Sequence, residues 1–144
     1  MTSIGVQSSF GFKPAYSATS TLALAPNGVN AIDVTPATVS GVVTMTAAQA
    51  TGGMVQHNVG GNLTTPTAAA IVAALPGCTV GTAFDCNVRA AGASTLVAGA
   101  GVTISALSTA LTAAGSCKTW RFVVTNNLVG SEAVTVYSMG TAVM

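Results

Sequence analysis

Trp120-Arg121-Phe122-Val123-Val124-Thr125 alternates along its length. Successive side chains of a strand point to opposite faces. Trp120, Phe122 and Val124 therefore share one face, and Arg121, Val123 and Thr125 share the other. The loop Asn126-Asn127-Leu128-Val129-Gly130 follows, and then Ala133 to Ser138 alternates again, with Val134 and Val136 inward. Two alternating runs joined by a short loop predict a β-hairpin.

The same pattern extends upstream. In Thr82 to Arg89, Phe84, Cys86 and Val88 fall on one face, and Asp85, Asn87 and Arg89 on the other. Gly92-Ala93 turns the chain into a strand from Ser94 to Ala98. Gly99-Ala100-Gly101 turns it again, after which Val102, Ile104 and Ala106 oppose Thr103 and Ser105. Further strands are expected at Ile32-Asp33-Val34, at Val42-Val43-Thr44-Met45-Thr46 and at Met54-Val55-Gln56-His57. Pro36 confines the first of these to an edge or a turn. Thr46-Ala47-Ala48-Gln49 starts a short helical turn that Gly52-Gly53 ends, and Gly60-Gly61-Asn62 reads as a loop. One helix is predicted over 66–75, with Thr65 as N-cap, Pro66 in the first helical position and Pro76-Gly77 as the stop. Ile71, Val72 and Leu75 form its apolar stripe.

Short strands separated by Gly and Asn turns predict an all-β protein. The expected architecture is an antiparallel β-sandwich, a jelly roll first and an immunoglobulin-like sandwich second, with one short α-helix. Residues 31–144 form this domain. Residues 1–30 have no clear period and read as an extended N-terminal arm. Phe10, Phe12 and Tyr16 place three of the seven aromatic residues in that arm. Aromatic side chains dominate buried contacts, so these three are the expected anchors on a neighbouring subunit or a capsid.

Composition narrows the functional classes. Half of the 144 residues are hydrophobic, but only seven carry a formal charge, for a net charge of +1. Soluble domains are about a quarter charged, and net charge near zero favours association. There is no basic patch to neutralise phosphates, so nucleic acid is not an expected partner. Residues 90–117 carry no charge, but four glycines and many Ser and Thr break them up, so no membrane span is expected there. The first residues lack the basic and apolar regions of a secretion signal, which points to synthesis in a cytoplasm.

Catalytic signatures are missing. His57 has no Cys or carboxylate beside it in sequence and is expected on a sheet surface. No Gly-x-Ser-x-Gly elbow occurs. Gly115-Ser116-Cys117-Lys118-Thr119 lacks the glycines of a phosphate-binding loop, and Cys78 and Cys86 lack zinc spacing. Cys78, Cys86 and Cys117 make an odd count, which favours buried free thiols over a disulfide framework, although a Cys78–Cys86 bridge stays open. Neither catalysis nor a cofactor nor a metal is expected. Asp85, Arg89, Arg121 and Glu132 are candidate inter-subunit charges that fix register, because wrong juxtapositions are costly.

Several strings follow one another in a suggestive order. Thr46-Ala47-Ala48-Gln49-Ala50-Thr51-Gly52-Gly53-Met54-Val55 leads into Leu63-Thr64-Thr65-Pro66 and the alanine run to Gly77. Val80-Gly81-Thr82-Ala83-Phe84 and Gly99-Ala100-Gly101-Val102-Thr103-Ile104 come next. Phe122-Val123-Val124-Thr125-Asn126 and Gly130-Ser131-Glu132-Ala133-Val134-Thr135-Val136-Tyr137 close the series. This order resembles small virion proteins of tailed phages and some large DNA viruses, the capsid decoration, cement and head-fibre proteins. The resemblance implies a β-sandwich, a homotrimer over capsomer junctions, and a major capsid protein as partner on the outer surface of the virion. The alternative is the subunit of a self-assembling filament or fibre.

Overall fold

The computed structural model describes residues 22–24, 30–32, 36–108 and 110–143. The chain divides into two units, residues 1–33 and 34–144. In the first, strands β1 (Leu22–Leu24) and β2 (Asn30–Ile32) pair antiparallel. Phe10, Phe12 and Tyr16 lie outside the described residues.

The second unit is mainly β, as expected. It contains strands β3 (Ala37–Val39), β4 (Val43–Thr44), β5 (Met54–His57), β6 (Gly61–Thr64), β7 (Ala83–Ala90), β8 (Ser94–Val97), β9 (Val102–Ile104), β10 (Leu111–Thr112), β11 (Ser116–Asn126) and β12 (Ala133–Val143). Two short helices, α1 (Ala47–Thr51) and α2 (Ala68–Ala73), sit between strands. A six-stranded sheet has the order β3-β5-β7-β11-β12-β9, and a four-stranded sheet the order β10-β8-β6-β4. One core joins them: Val55, Val88, Trp120, Phe122 and Val136 of the first sheet pack with Leu63 and Leu96 of the second.

The antiparallel expectation needs correction, and the jelly roll is not confirmed. Strands β3, β5 and β7 run parallel in one sheet, and β4, β6 and β8 run parallel in the other. The chain runs along one sheet, turns a corner, runs along the other and returns, three times over. Each circuit stacks on the previous one, so β3–β4, β5–β6 and β7–β8 are three rungs. The corners stack too: the Gly41 amide donates to the Val59 carbonyl at 3.1 Å, and the Gly61 amide to the Ala93 carbonyl at 3.0 Å. A Cβ built on Gly92 would lie 2.5 Å from the Gly60 amide nitrogen, and one on Gly60 would collide with the Ala93 carbonyl oxygen. Only glycine permits this approach of backbone on backbone.

Strand β9 begins a further circuit but joins the sheet beyond the antiparallel pair β11–β12, to which it adds in parallel. The predicted hairpin is therefore present, inserted between β7 and β9. It is longer than the sequence pattern suggested. Strand β11 starts at Ser116 and β12 continues to Val143, with a register shift at Thr119/Trp120.

The helices differ in detail from expectation. Among the described residues there are two, not one. The turn expected at Thr46 is a full capping box, in which Thr46 Oγ1 accepts from the Gln49 amide and Gln49 Oε1 accepts from the Thr46 amide. Helix α2 is capped by Thr67, not Thr65. The Thr65 side chain is buried and accepts from the Gly99 amide at 2.8 Å, so it ties the start of the helix to the β8–β9 turn. The expected loop at Gly60-Gly61-Asn62 is instead the entry to β6. Among the described residues, no helix is long and apolar enough to cross a membrane.

Candidate functional site

The outer face of the six-stranded sheet carries most of the described charge. Alternation along β7 turns Phe84, Cys86 and Val88 toward the core, as the sequence predicts, and leaves Asp85, Asn87 and Arg89 on the outer side. Alternation along β11 does the same for Cys117, Thr119 and Arg121. Register places Arg121 directly opposite Asp85. The guanidinium donates from Nε to Oδ1 and from Nη2 to Oδ2, each at 2.8 Å. This two-pronged geometry suits a planar fork on a carboxylate. The hydrogen bonds from Arg121 hold the Asp85 carboxyl below the ordinary carboxylate range, and Asp85 in turn raises Arg121.

One row along, Thr119 Oγ1 donates to Asn87 Oδ1 at 2.6 Å. In the next row Arg89 Nη1 reaches Gln56 Oε1 at 3.5 Å. Three of the four candidate inter-subunit charges thus share one face, and two of them, Asp85 and Arg121, bind each other within the chain. Glu132 lies apart, in the loop before β12, where its Oε2 accepts from the Gly130 amide at 3.0 Å.

His57 corrects another expectation. It is not on the sheet surface but fully buried. Strand β5 lies between β3 and β7, and its alternation sends Val55 and His57 inward while Met54 and Gln56 stay partly exposed. Its Nε2 donates to the Gly41 carbonyl at 2.7 Å, and its Nδ1 lies 2.6 Å from Ser94 Oγ. Ser94 Oγ is also 3.1 Å from the Gly92 carbonyl oxygen, and its single proton serves one acceptor at a time. Gly41 belongs to the first corner, His57 ends the first strand of the second rung, and Ser94 opens the second strand of the third. One imidazole therefore clamps three rungs. With His57 at 0 % and Ser94 at 1 % exposure, the pair is closed to any substrate.

Lys118 and Ser116 were not anticipated as core residues. Both are in phase with Trp120 and Phe122 on β11 and point inward. The Lys118 ammonium lies 4.5 Å from the centroid of the Trp120 ring, a cation–π arrangement. Burial lowers the Lys118 pKa. Among the described residues the Trp120 indole Nε1 has no hydrogen-bond partner. Extending the alternation two residues ahead of Trp120 would have placed Lys118 inside.

All three cysteines are free, which closes the question of a Cys78–Cys86 bridge. Burial, with a smaller contribution from Cys117, pushes the Cys86 thiol up to about 12. Such a thiol stays protonated and unreactive. Among the described residues, no three His, Cys, Asp or Glu side chains gather into a group that could hold a metal ion. Comparison with protein-family models, with curated proteins and with solved structures returns no match.

Proposed function

We propose that this chain is a non-catalytic structural subunit of a virion. It decorates or cements the outer capsid surface by binding copies of itself and a major capsid protein across capsomer junctions. It is made in the host cytoplasm and ends on the particle, without nucleic acid or membrane as partner. The observation that carries this reading is the surface. Val42, Val59, Leu107, Val129 and Val143 are exposed apolar side chains. Against them stand few charges, of which Asp85 and Arg121 neutralise each other and Lys118 is buried. A surface with little charge and much exposed apolar area gains by being covered, at about 25 cal/mol per Å² before the costs of association. In this reading the two sheets around one core serve as the sandwich that the resemblance implies, and residues 1–30 supply the attachment through Phe10, Phe12 and Tyr16.

The test is cryo-electron microscopy of the virion together with the heat stability of particles lacking the chain. Extra density on the outer shell and a lowered melting temperature support the proposal. A chain that stays monomeric at high concentration, and whose deletion leaves particle stability unchanged, overturns it. The second reading, a filament or fibre subunit, is favoured by the eleven-residue β12 strand, which the marginal strand β9 covers only from Val134 to Val136. Negative-stain images of the purified chain separate the two: long filaments support the fibre, discrete particles the decoration protein.

A further inference from the structure

The margins of the two sheets are unequal. Strands β3, β9, β4 and β10 end the sheets and are each two or three residues long. Short edges are one way in which proteins prevent unwanted pairing. Strand β12 is eleven residues long, but β9 covers it only from Val134 to Val136. The Ser108 hydroxyl then accepts from the Ser138 amide at 2.8 Å, which ends the covered stretch. From Gly140 to Val143 one side of β12 pairs with β11, with Met139 at the register shift, and the other side of 139–143 has no strand partner among the described residues. Every residue of this stretch is exposed, including Met139 at 51 % and Val143 at 89 %.

The usual guards on such an edge are charge, proline and bulges. Met139-Gly140-Thr141-Ala142-Val143 has neither charge nor proline. Its one irregularity, the register shift opposite Thr119/Trp120, sits at the start of the stretch and leaves regular pairing with β11 beyond it. An unpaired backbone edge calls for an extended strand. An uncharged edge related to itself by a two-fold axis presents no like charges across the contact. A chain with a net charge of +1 adds little repulsion between copies.

We propose that the 139–143 edge of β12 pairs antiparallel with the same edge of a second copy, with the two-fold axis at Thr141, so that the six-stranded sheets of two subunits form one continuous sheet. This isologous contact makes dimers, in place of the trimer implied by the resemblance. It rests on the edge alone and holds whether or not the chain sits on a virion.

The experiment is sedimentation equilibrium of the full chain over a concentration series, with Thr141→Lys, Thr141→Glu and their mixture as variants. The wild type is expected to shift from monomer to dimer as concentration rises. Each variant alone is expected to stay monomeric, because like charges then face each other at the axis. The mixture is expected to regain the dimer. Trp120 near-ultraviolet circular dichroism identical to that of the wild type confirms that the variants fold. Amide exchange provides the second readout: residues 139–143 gain protection with concentration, and residues 126–132 do not. A wild type still monomeric at about 1 mM, a trimer, or a Thr141→Lys chain that dimerises as well as the wild type overturns the proposal. So does protection that never reaches residues 139–143.

Discussion

The three parallel rungs and the antiparallel β11–β12 hairpin share one sheet but are held together differently. The hairpin is joined by local pairing, a short loop and the large side chains Trp120 and Phe122, the latter stacked on Phe84 at 4.9 Å. The rungs, apart from the eight-residue β7 with its Phe84, are strands of two to four residues with no large aromatic side chain. Their order depends on backbone contact at the glycine corners and on one buried imidazole. Where side chains are large, packing area fixes the arrangement. Where they are small, hydrogen bonds and close approach must do so.

Removing the largest side chain tests the packing half. Trp120→Ala is expected to lower stability by about 4 kcal/mol in denaturant unfolding, the range for a buried aromatic. Trp120→Phe should fall well short of that, since it also removes the unpartnered indole N–H. His57→Ala tests the rungs, with an expected loss of about 2 kcal/mol because the partly buried Gly41 carbonyl loses its imidazole donor while the Ser94 hydroxyl keeps only the Gly92 carbonyl. If His57→Ala matched a surface substitution, the clamp would carry no weight. Gly60→Ala should lose about 1–3 kcal/mol by overpacking the corner, whereas alanine at Gly77, which has open space, should show only backbone strain.

Chemical reactivity sharpens the same contrast. Thiol reagents at neutral pH are expected to modify Cys78 and Cys117 while Cys86 stays protected until the protein unfolds. Because the Cys86 pKa is raised from 9.0 to about 12, the folded state holds its proton more tightly than the unfolded. Its contribution to stability is complete below pH 9.0 and is lost as pH rises toward 12. A Cys86→Ala comparison over that range isolates it. The smallest effect belongs to the surface. Arg121→Ala is expected to change stability least of all, since both partners are solvent-screened. Asp85 is shifted down from 3.8, so this increment is present above pH 3.8 and disappears as pH falls through the lowered value.

The hairpin half was legible because alternation in Trp120 to Thr125 and in Phe84 to Val88 has the period of a strand, and a face follows directly from it. The rungs were not. Ser40-Gly41, Val59-Gly60 and Ala91-Gly92 have the composition of hairpin turns, and composition does not say whether a chain returns in the same sheet or crosses to the other. The cap of α2 was misplaced for a related reason: Thr65 and Thr67 are equally good caps in sequence, and only the Gly99 amide waiting for Thr65 separates them. His57 carried a usable signal, because it falls in phase with Val55. The outer-face pair of Asp85 and Arg121 was only half visible: their placement on that face follows from alternation, but their register comes from pairing between strands distant in sequence.

The insertion of β11 and β12 between β7 and β9 also constrains the order of assembly during synthesis. β7 leaves the ribosome with its parallel neighbour β5 already made, but its antiparallel neighbour arrives only with residues 116–126. Until then β7 has an open flank, and β9, which emerges earlier than its own partner β12, is also unpaired. Distant pairings form more slowly than near ones, so nascent chains stalled before residue 116 should be the most prone to aggregate and the most dependent on chaperones.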